Sequence, residues 1–157
     1  MKKWFIILLA VVALATLQLS WPARLTFFYG RPDLLLTFVI AAVFFLDFRA
    51  ALAISILCGL FKDVFLPAGF GLNTVLFSIS CYAISKLSRQ ISTEPGIIRL
   101  GLVLSAALLN NIISGLASVN SGALIPAGIF LRSLIIPSVY TAALSPLVFK
   151  LAKKITS

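Results

Sequence analysis

The chain has 157 residues, of which 61% are hydrophobic and only 11% are charged. An average soluble domain carries roughly 25% charged residues, so a soluble protein of this size could not cover so much apolar surface. The composition excludes a soluble enzyme and a disordered chain, and it excludes a nucleic-acid-binding domain despite the net charge of +9. Since lipid must be the solvent for most of the chain, we predict an all-α integral membrane protein.

The reactive side chains narrow the chemistry further. There is no histidine, which removes an imidazole base and the commonest metal ligand. Cys58 and Cys81 lie inside apolar runs and are expected to be buried small hydrophobes. The chain has four carboxylates: Asp33, Asp47, Asp63 and Glu94. These are too few for a metal-dependent phosphotransferase, and a protease dyad of Asp33 with Asp63 lacks the polar surroundings that peptide binding needs. We therefore expect no catalytic activity, no metal and no cofactor.

The first apolar run covers residues 4–20 and follows Lys2 and Lys3. Basic residues, an apolar stretch and then Ala13-Leu14-Ala15 also fit a cleaved signal peptide. Because the apolar run continues beyond those alanines, an uncleaved first helix is the preferred interpretation.

The region from Leu34 to Phe61 could be one long helix or two helices joined at Asp47-Phe48-Arg49. The positive-inside rule favours two helices, because nine basic residues then lie on the cytoplasmic side and four on the outer side. A single helix would also place Asp47 and Arg49 at the bilayer centre. We predict one transmembrane domain of six helices with both termini in the cytoplasm, at about residues 4–20, 33–47, 49–63, 72–86, 99–118 and 130–149.

Polar residues recur at helical spacing within the predicted spans. Ala51, Ser55, Gly59 and Asp63 are each four residues apart, and small residues at this spacing let helices approach closely. Asp63 ends this stripe, and a carboxylate at the membrane edge is either functional or paired with the adjacent Lys62 as an anchor.

The last two helices contain further polar positions. Asn110 and Ser114 share one face of the fifth helix, and Asn111 lies on another. All three are expected to form interhelical hydrogen bonds, with a substrate pocket as the alternative. Arg132 either reaches the lipid headgroups or pairs with Asp63 or Asp33. Pro137 and Pro146 should kink the sixth helix, so neighbouring side chains must satisfy the freed carbonyls.

Three segments carry a family resemblance, which is best over residues 31–90. The first is Arg31-Pro32-Asp33-Leu34-Leu35-Leu36, which opens a short helix. The second is Gly59-Leu60-Phe61-Lys62-Asp63 at a helix end. The third is Gly71-Leu72-Asn73, before a helix that contains Tyr82 and ends at Lys86. This arrangement resembles MreD, the rod shape-determining membrane protein family of bacteria, although Lys62 and the doubled Gly69/Gly71 depart from its pattern.

The resemblance implies a non-catalytic subunit of the cell-elongation complex, the elongasome, in the bacterial cytoplasmic (inner) membrane. Its close partner would be MreC, and it would connect indirectly to MreB, RodA and a penicillin-binding transpeptidase that together build side-wall peptidoglycan. Membrane lipid is a further expected partner, nucleic acid is not, and self-association stays open. The fold would resemble the substrate-binding component of energy-coupling factor transporters. That fold supplies the alternative, a vitamin-binding membrane component, although the first helix lacks an Ala-x-x-x-Ala docking signature.

The resemblance and the polar stripes together give a set of candidate partner-interface or structural residues: Pro32, Asp33, Ser55, Gly59, Asp63, Gly71, Asn73, Asn110, Ser114 and Arg132. Within this set we expect Asp63, paired with Arg132 or Lys62, to hold the following loop in one shape. Gly71 would supply backbone freedom before the fourth helix, and Asn73 would cap that helix.

Overall fold

The computed structural model describes residues 2–20, 31–65, 71–90, 96–122 and 124–156. This part of the chain folds into six α-helices: α1 (Lys2–Leu19), α2 (Leu34–Phe45), α3 (Phe48–Phe65), α4 (Leu72–Gln90), α5 (Gly96–Asn120) and α6 (Ala127–Thr156). The predicted break at Asp47 is confirmed, since α2 and α3 are separate helices that pack against each other.

Two of these helices, α5 with 25 residues and α6 with 30 residues, are long and apolar enough to cross a membrane. The apolar parts of α1 and α2 are shorter. The all-helical architecture fits an all-α membrane protein, while the crossing of the bilayer by all six helices stays a prediction.

The centre of the molecule is α2. Every residue from Leu34 to Ala42 is buried, because α2 packs against α1, α3, α4 and α6. A helix that is apolar on all sides is suited to such a position, whereas an amphipathic helix would leave polar groups without water. Leu36, Val39 and Ile40 are fully buried in this core.

The helix ends differ from the prediction for α4, α5 and α6. The fourth helix was predicted to end at residue 86, but α4 continues to Gln90. The fifth was predicted to begin at residue 99, but α5 begins at Gly96. The sixth was predicted to end at residue 149, but α6 continues to Thr156. The apolar runs underestimate the ends of α4 and α6 because lysine, arginine and glutamine are good helix formers that extend a helix beyond the hydrocarbon region. Much of the polar connection predicted between Lys86 and Arg99 is therefore helical, and residues 91–95 lie outside the described part.

Both prolines of the last helix lie inside α6. A proline removes the hydrogen bond to the carbonyl four residues earlier, which for Pro146 is the carbonyl of Ala142. The Ser145 hydroxyl donates to that carbonyl at 2.7 Å, so the predicted compensation is confirmed for Pro146 by a side chain of the same helix.

The bundle has two chemically different ends. We call the end where α2 and α4 begin and α3 ends the carboxylate end, because it contains Asp33 and Asp63. We call the opposite end the basic end. Seven cations lie there near the start of α3 and α5 and near the end of α4 and α6: Arg49, Lys86, Arg89, Arg99, Lys150, Lys153 and Lys154.

Candidate functional site

The carboxylate end is organised around Asp63, which is fully buried in the last turns of α3. Its Oδ1 accepts from the Asn73 backbone N–H at 3.0 Å and from Asn73 Nδ2 at 2.9 Å. Its Oδ2 accepts from the Thr74 backbone N–H at 3.0 Å and from the Thr74 hydroxyl at 2.6 Å. The first N–H groups of a helix have no partner within that helix, and the positive end of the helix dipole favours an anion. Asp63 therefore caps α4 from the neighbouring helix.

Two glycines permit this cap, for different reasons. A Cβ added at Gly59, one turn before Asp63, would lie 2.3 Å from Thr74 Cα and 2.8 Å from Thr74 N. Only glycine allows the two backbones to approach so closely. Gly71 has a φ of +93°, and there is open space where a Cβ would lie. Glycine is therefore needed here for its backbone conformation and not because a side chain would clash. This is the backbone freedom that the sequence predicted before α4.

Asp33 joins three helices at the same end. Its Oδ1 accepts from the Leu36 N–H at 3.1 Å and so caps α2, while its Oδ2 forms an ion pair with Lys62 of α3. Its own N–H donates to the Thr141 hydroxyl of α6 at 2.9 Å, and that hydroxyl donates to the Pro137 carbonyl. The adjacent Pro32 is fully buried.

The predicted partners of Asp63 and the predicted cap at Asn73 are both wrong. Lys62 pairs with Asp33 and also lies over the Phe77 ring, 5.1 Å from its centroid. Arg132 is exposed near the start of α6. Asn73 is inside the first turn of α4 and donates to Asp63, rather than capping the helix itself. Asp63 needs no cation as a partner, because the first turn of α4 supplies hydrogen-bond donors to both of its carboxylate oxygens. Residues 66–70 of the loop that Asp63 was expected to hold lie outside the described part.

The polar residues of α5 behave unequally. Asn111 Nδ2 donates to the Ser138 hydroxyl of α6 at 2.9 Å, which is an interhelical bond of the predicted kind. Asn110 is only 2% exposed, yet its side-chain nitrogen and oxygen have no partner among the described residues, and neither does the Ser114 hydroxyl. Ser55 is fully buried and donates to the Leu52 carbonyl of its own helix.

The candidate set drawn from the sequence omits several residues that hold the carboxylate end together. Lys62, Thr74, Asn111 and Thr141 make contacts between helices but are absent from the candidate set. Thr74 carried no signal, because a threonine in a membrane helix normally bonds its own backbone. Lys62 was expected to bind a carboxylate, but its partner is Asp33 and not Asp63.

A cavity of about 350 Å³ opens beside this network. Its polar lining comes from three helices (α1, α3 and α5) and from the residues before α2, through Gln18, Arg31, Asp33, Lys62 and Asn111. Within the described residues, no cluster of three acidic or thiol groups could hold a metal ion. The cavity offers hydrogen bonding and charge to a small polar ligand.

The sequence was compared with models of known protein families. The family model described as rod shape-determining protein MreD matches residues 1–155 of the 157-residue chain.

The chain belongs to the MreD family.

The resemblance of residues 31–90 to MreD is thereby confirmed and extended over nearly the whole chain. MreD is a family of shape-determining membrane proteins, is part of the rod shape-determining system with MreC, and is not a known enzyme family. No match to the chain is found among curated proteins or among solved structures. The expected likeness to the vitamin-transporter component therefore stays a prediction.

Proposed function

We propose that the chain is a non-catalytic subunit of the cell-elongation complex that binds MreC and helps to organise side-wall peptidoglycan synthesis. The observation that carries this proposal is the MreD family match over residues 1–155. Through MreC the chain connects indirectly to MreB, RodA and a penicillin-binding transpeptidase.

The shape of the chain limits how it can meet partners. Its described residues are almost all helical, so contacts are made through helix faces and short connections. Large apolar side chains are exposed on α1 and α5, including Phe5, Leu9, Leu109 and Leu116. In a membrane protein such faces contact lipid or a partner's membrane helix.

We infer that the basic end faces the cytoplasm of the inner membrane, and that the carboxylate end faces outward. The seven cations named above at the basic end, against Arg31, Lys62 and Arg132 at the other, support this orientation. The carboxylate end is then where the periplasmic part of MreC emerges. The Asp63 cap fixes the residues on both sides of loop 66–70, and that loop is our candidate contact with MreC.

The test is a pull-down of the tagged chain from its native membrane in mild detergent, read by mass spectrometry. We expect recovery of a single-span partner with a periplasmic coiled coil, together with the wall-synthesis enzymes. Asp63→Asn should reduce that recovery and disturb cell shape, whereas Asp47→Asn, an equal change at an exposed position, should not.

A vitamin-transporter component is the second candidate, and the polar cavity of about 350 Å³ is the observation that favours it. Recovery of an ATP-binding cassette pair with a coupling subunit would replace the elongation proposal with this one. The cavity lining, beginning with Asn111 and Gln18, would then be the surface to vary.

A further inference from the structure

The basic end contains a second cavity, of about 290 Å³, that no step of the proposed function uses. It lies between the end of α2, the start of α5 and the end of α6. Its lining residues are Phe45, Gly96, Arg99, Leu100, Ser145, Pro146, Phe149, Lys150 and Lys153. Three of these side chains are cations and none is acidic, so the charge of the cavity fits an anion.

The walls of this cavity are apolar and aromatic. Phe44 and Phe45 both pack against Phe149, with ring centroids 5.7 Å and 6.2 Å apart. The Arg99 guanidinium carbon lies 5.5 Å from the centroid of the Phe44 ring, which holds this cation beside the aromatic wall. The Ser145 hydroxyl is directed to the Ala142 carbonyl, so the side chains offer few polar groups besides the cations. A free inorganic anion would gain nothing from apolar walls. A ligand with a charged headgroup and apolar chains would contact both the cations and the walls.

The position of the cavity along the helices fits the same ligand. With 30 residues at about 1.5 Å per residue, α6 is about 45 Å long, while the hydrocarbon core of a bilayer is about 30 Å thick. The last turns of α6, which carry Lys150 and Lys153, therefore extend to the level of the lipid headgroups. Gly96 and Arg99 in the first turn of α5 lie at the same level, where the positive end of that helix dipole also favours an anion.

We propose that the cavity between α2, α5 and α6 is a binding site for an anionic phospholipid. Arg99, Lys150 and Lys153 bind the phosphate of the headgroup, and the acyl chains lie along Phe45, Leu100 and Phe149. Basic pockets between membrane helices on the cytoplasmic side bind anionic headgroups in this way. The cavity lies at the opposite end of the bundle from the Asp63 cap, so this proposal does not rest on the proposed contact with MreC.

The experiment is native mass spectrometry of the purified full chain in detergent, with phosphatidylglycerol or phosphatidylethanolamine added in equal amounts. We expect the wild-type chain to retain phosphatidylglycerol preferentially. The double variant Lys150→Gln/Lys153→Gln should lose about fivefold in phosphatidylglycerol binding per lysine, because each of these cations contacts the headgroup phosphate in the proposed site. Both lysines are exposed, so their replacement should not disturb folding.

Lys154→Gln is the matched control, because this exposed lysine is on the same helix but does not line the cavity. Equal loss in Lys154→Gln would show only general attraction to net charge and would overturn the site. Absence of any phosphatidylglycerol preference in the wild-type chain would also overturn it and would leave an acidic segment of a partner as the better occupant. Displacement of the lipid by millimolar inorganic phosphate would assign the cations to free phosphate instead.

Discussion

At the scale of single residues, Lys62 and Asp63 are neighbours in sequence that serve different helix pairs. Lys62 binds Asp33 of α2, whereas Asp63 binds Asn73 and Thr74 of α4. Consecutive residues of a helix point about 100° apart, so adjacent opposite charges on a helix do not face each other. The sequence showed both charges, but the directions in which they point decided their partners.

Replacement of Asp63 by asparagine should lower the stability of the protein. The amide keeps one acceptor oxygen but presents an NH₂ group to Thr74. The Thr74 hydroxyl can turn and accept from that group, but the Thr74 backbone N–H loses its acceptor at a fully buried site. We expect a loss of about 2 kcal/mol. The free Cys58 and Cys81 are both buried, so thermal unfolding in detergent can be followed by their reaction with a maleimide dye.

The control for this variant is Asp47→Asn at the exposed turn between α2 and α3, since asparagine caps a helix as well as aspartate does. An unchanged unfolding temperature in Asp63→Asn would contradict the cap.

Gly59→Ala should destabilise the protein, because the new methyl group would lie 2.3 Å from Thr74 Cα and the backbones would have to separate. We expect a loss of about 1–3 kcal/mol in the same thiol-labelling assay. Gly101→Ala in α5 is the matched control, with no atom within 4 Å of the added Cβ. That change should stabilise by up to about 1 kcal/mol, since alanine is the better helix former. Equal changes in stability at both positions would show that helix propensity, and not a steric clash with α4, determines the effect of Gly59→Ala.

At the scale of helices, the carboxylate end is a set of connections between neighbours. Asp63 joins α3 to α4, Asp33 joins α2 to α3 and α6, and Asn111 joins α5 to α6. Polar bonds between membrane helices are individually modest, at about 0.6 kcal/mol on average. Their value here lies in fixing which helix ends meet, because apolar faces alone permit sliding.

Lys62→Met should weaken the contact between α2 and α3. The Lys62 and Asp33 side chains are 13% and 10% exposed, so the pair lies between a surface and a buried ion pair. Leaving Asp33 without its cation should cost about 2 kcal/mol. Adding Asp33→Asn should restore part of this loss, because asparagine still caps α2 and leaves no unpaired charge. Arg132→Met, an equal change at an exposed cation, should have little effect. A double variant less stable than Lys62→Met would argue against the ion pair.

At the scale of the whole molecule, the two ends of the bundle differ in charge, and this difference predicts its orientation. Ser121 follows α5 at one end and Gln90 ends α4 at the other, and both are exposed. In a variant lacking Cys58 and Cys81, we expect Ser121→Cys in intact cells to react with a membrane-impermeant maleimide. Gln90→Cys should react only after the membrane is permeabilised. The reverse pattern would invert the topology and move the proposed MreC contact to the cytoplasm.

Much of the helical architecture could be predicted from the sequence. Apolar runs gave the number of helices, and charge distribution gave the break at Asp47, because the cost of placing charge in lipid acts on the chain wherever it folds. The predicted helix ends were less accurate, as at Thr156, because a helix can continue through polar residues that lie beyond the apolar run. The role of Gly71 was also predicted, because the turn before a helix often requires a positive φ, and this requirement is local in sequence.

The contacts of the carboxylate end were decided by the tertiary structure. The pairing of Lys62 with Asp33 across 29 positions, and of Asp33 with Thr141 across 108, depends on which helix faces meet. Composition by itself determined that lipid is the solvent for most of the chain, because hydrophobicity sums over residues independently of their arrangement. Hydrogen bonds and ion pairs need two groups at one distance and angle, and only the packed bundle brings those groups together.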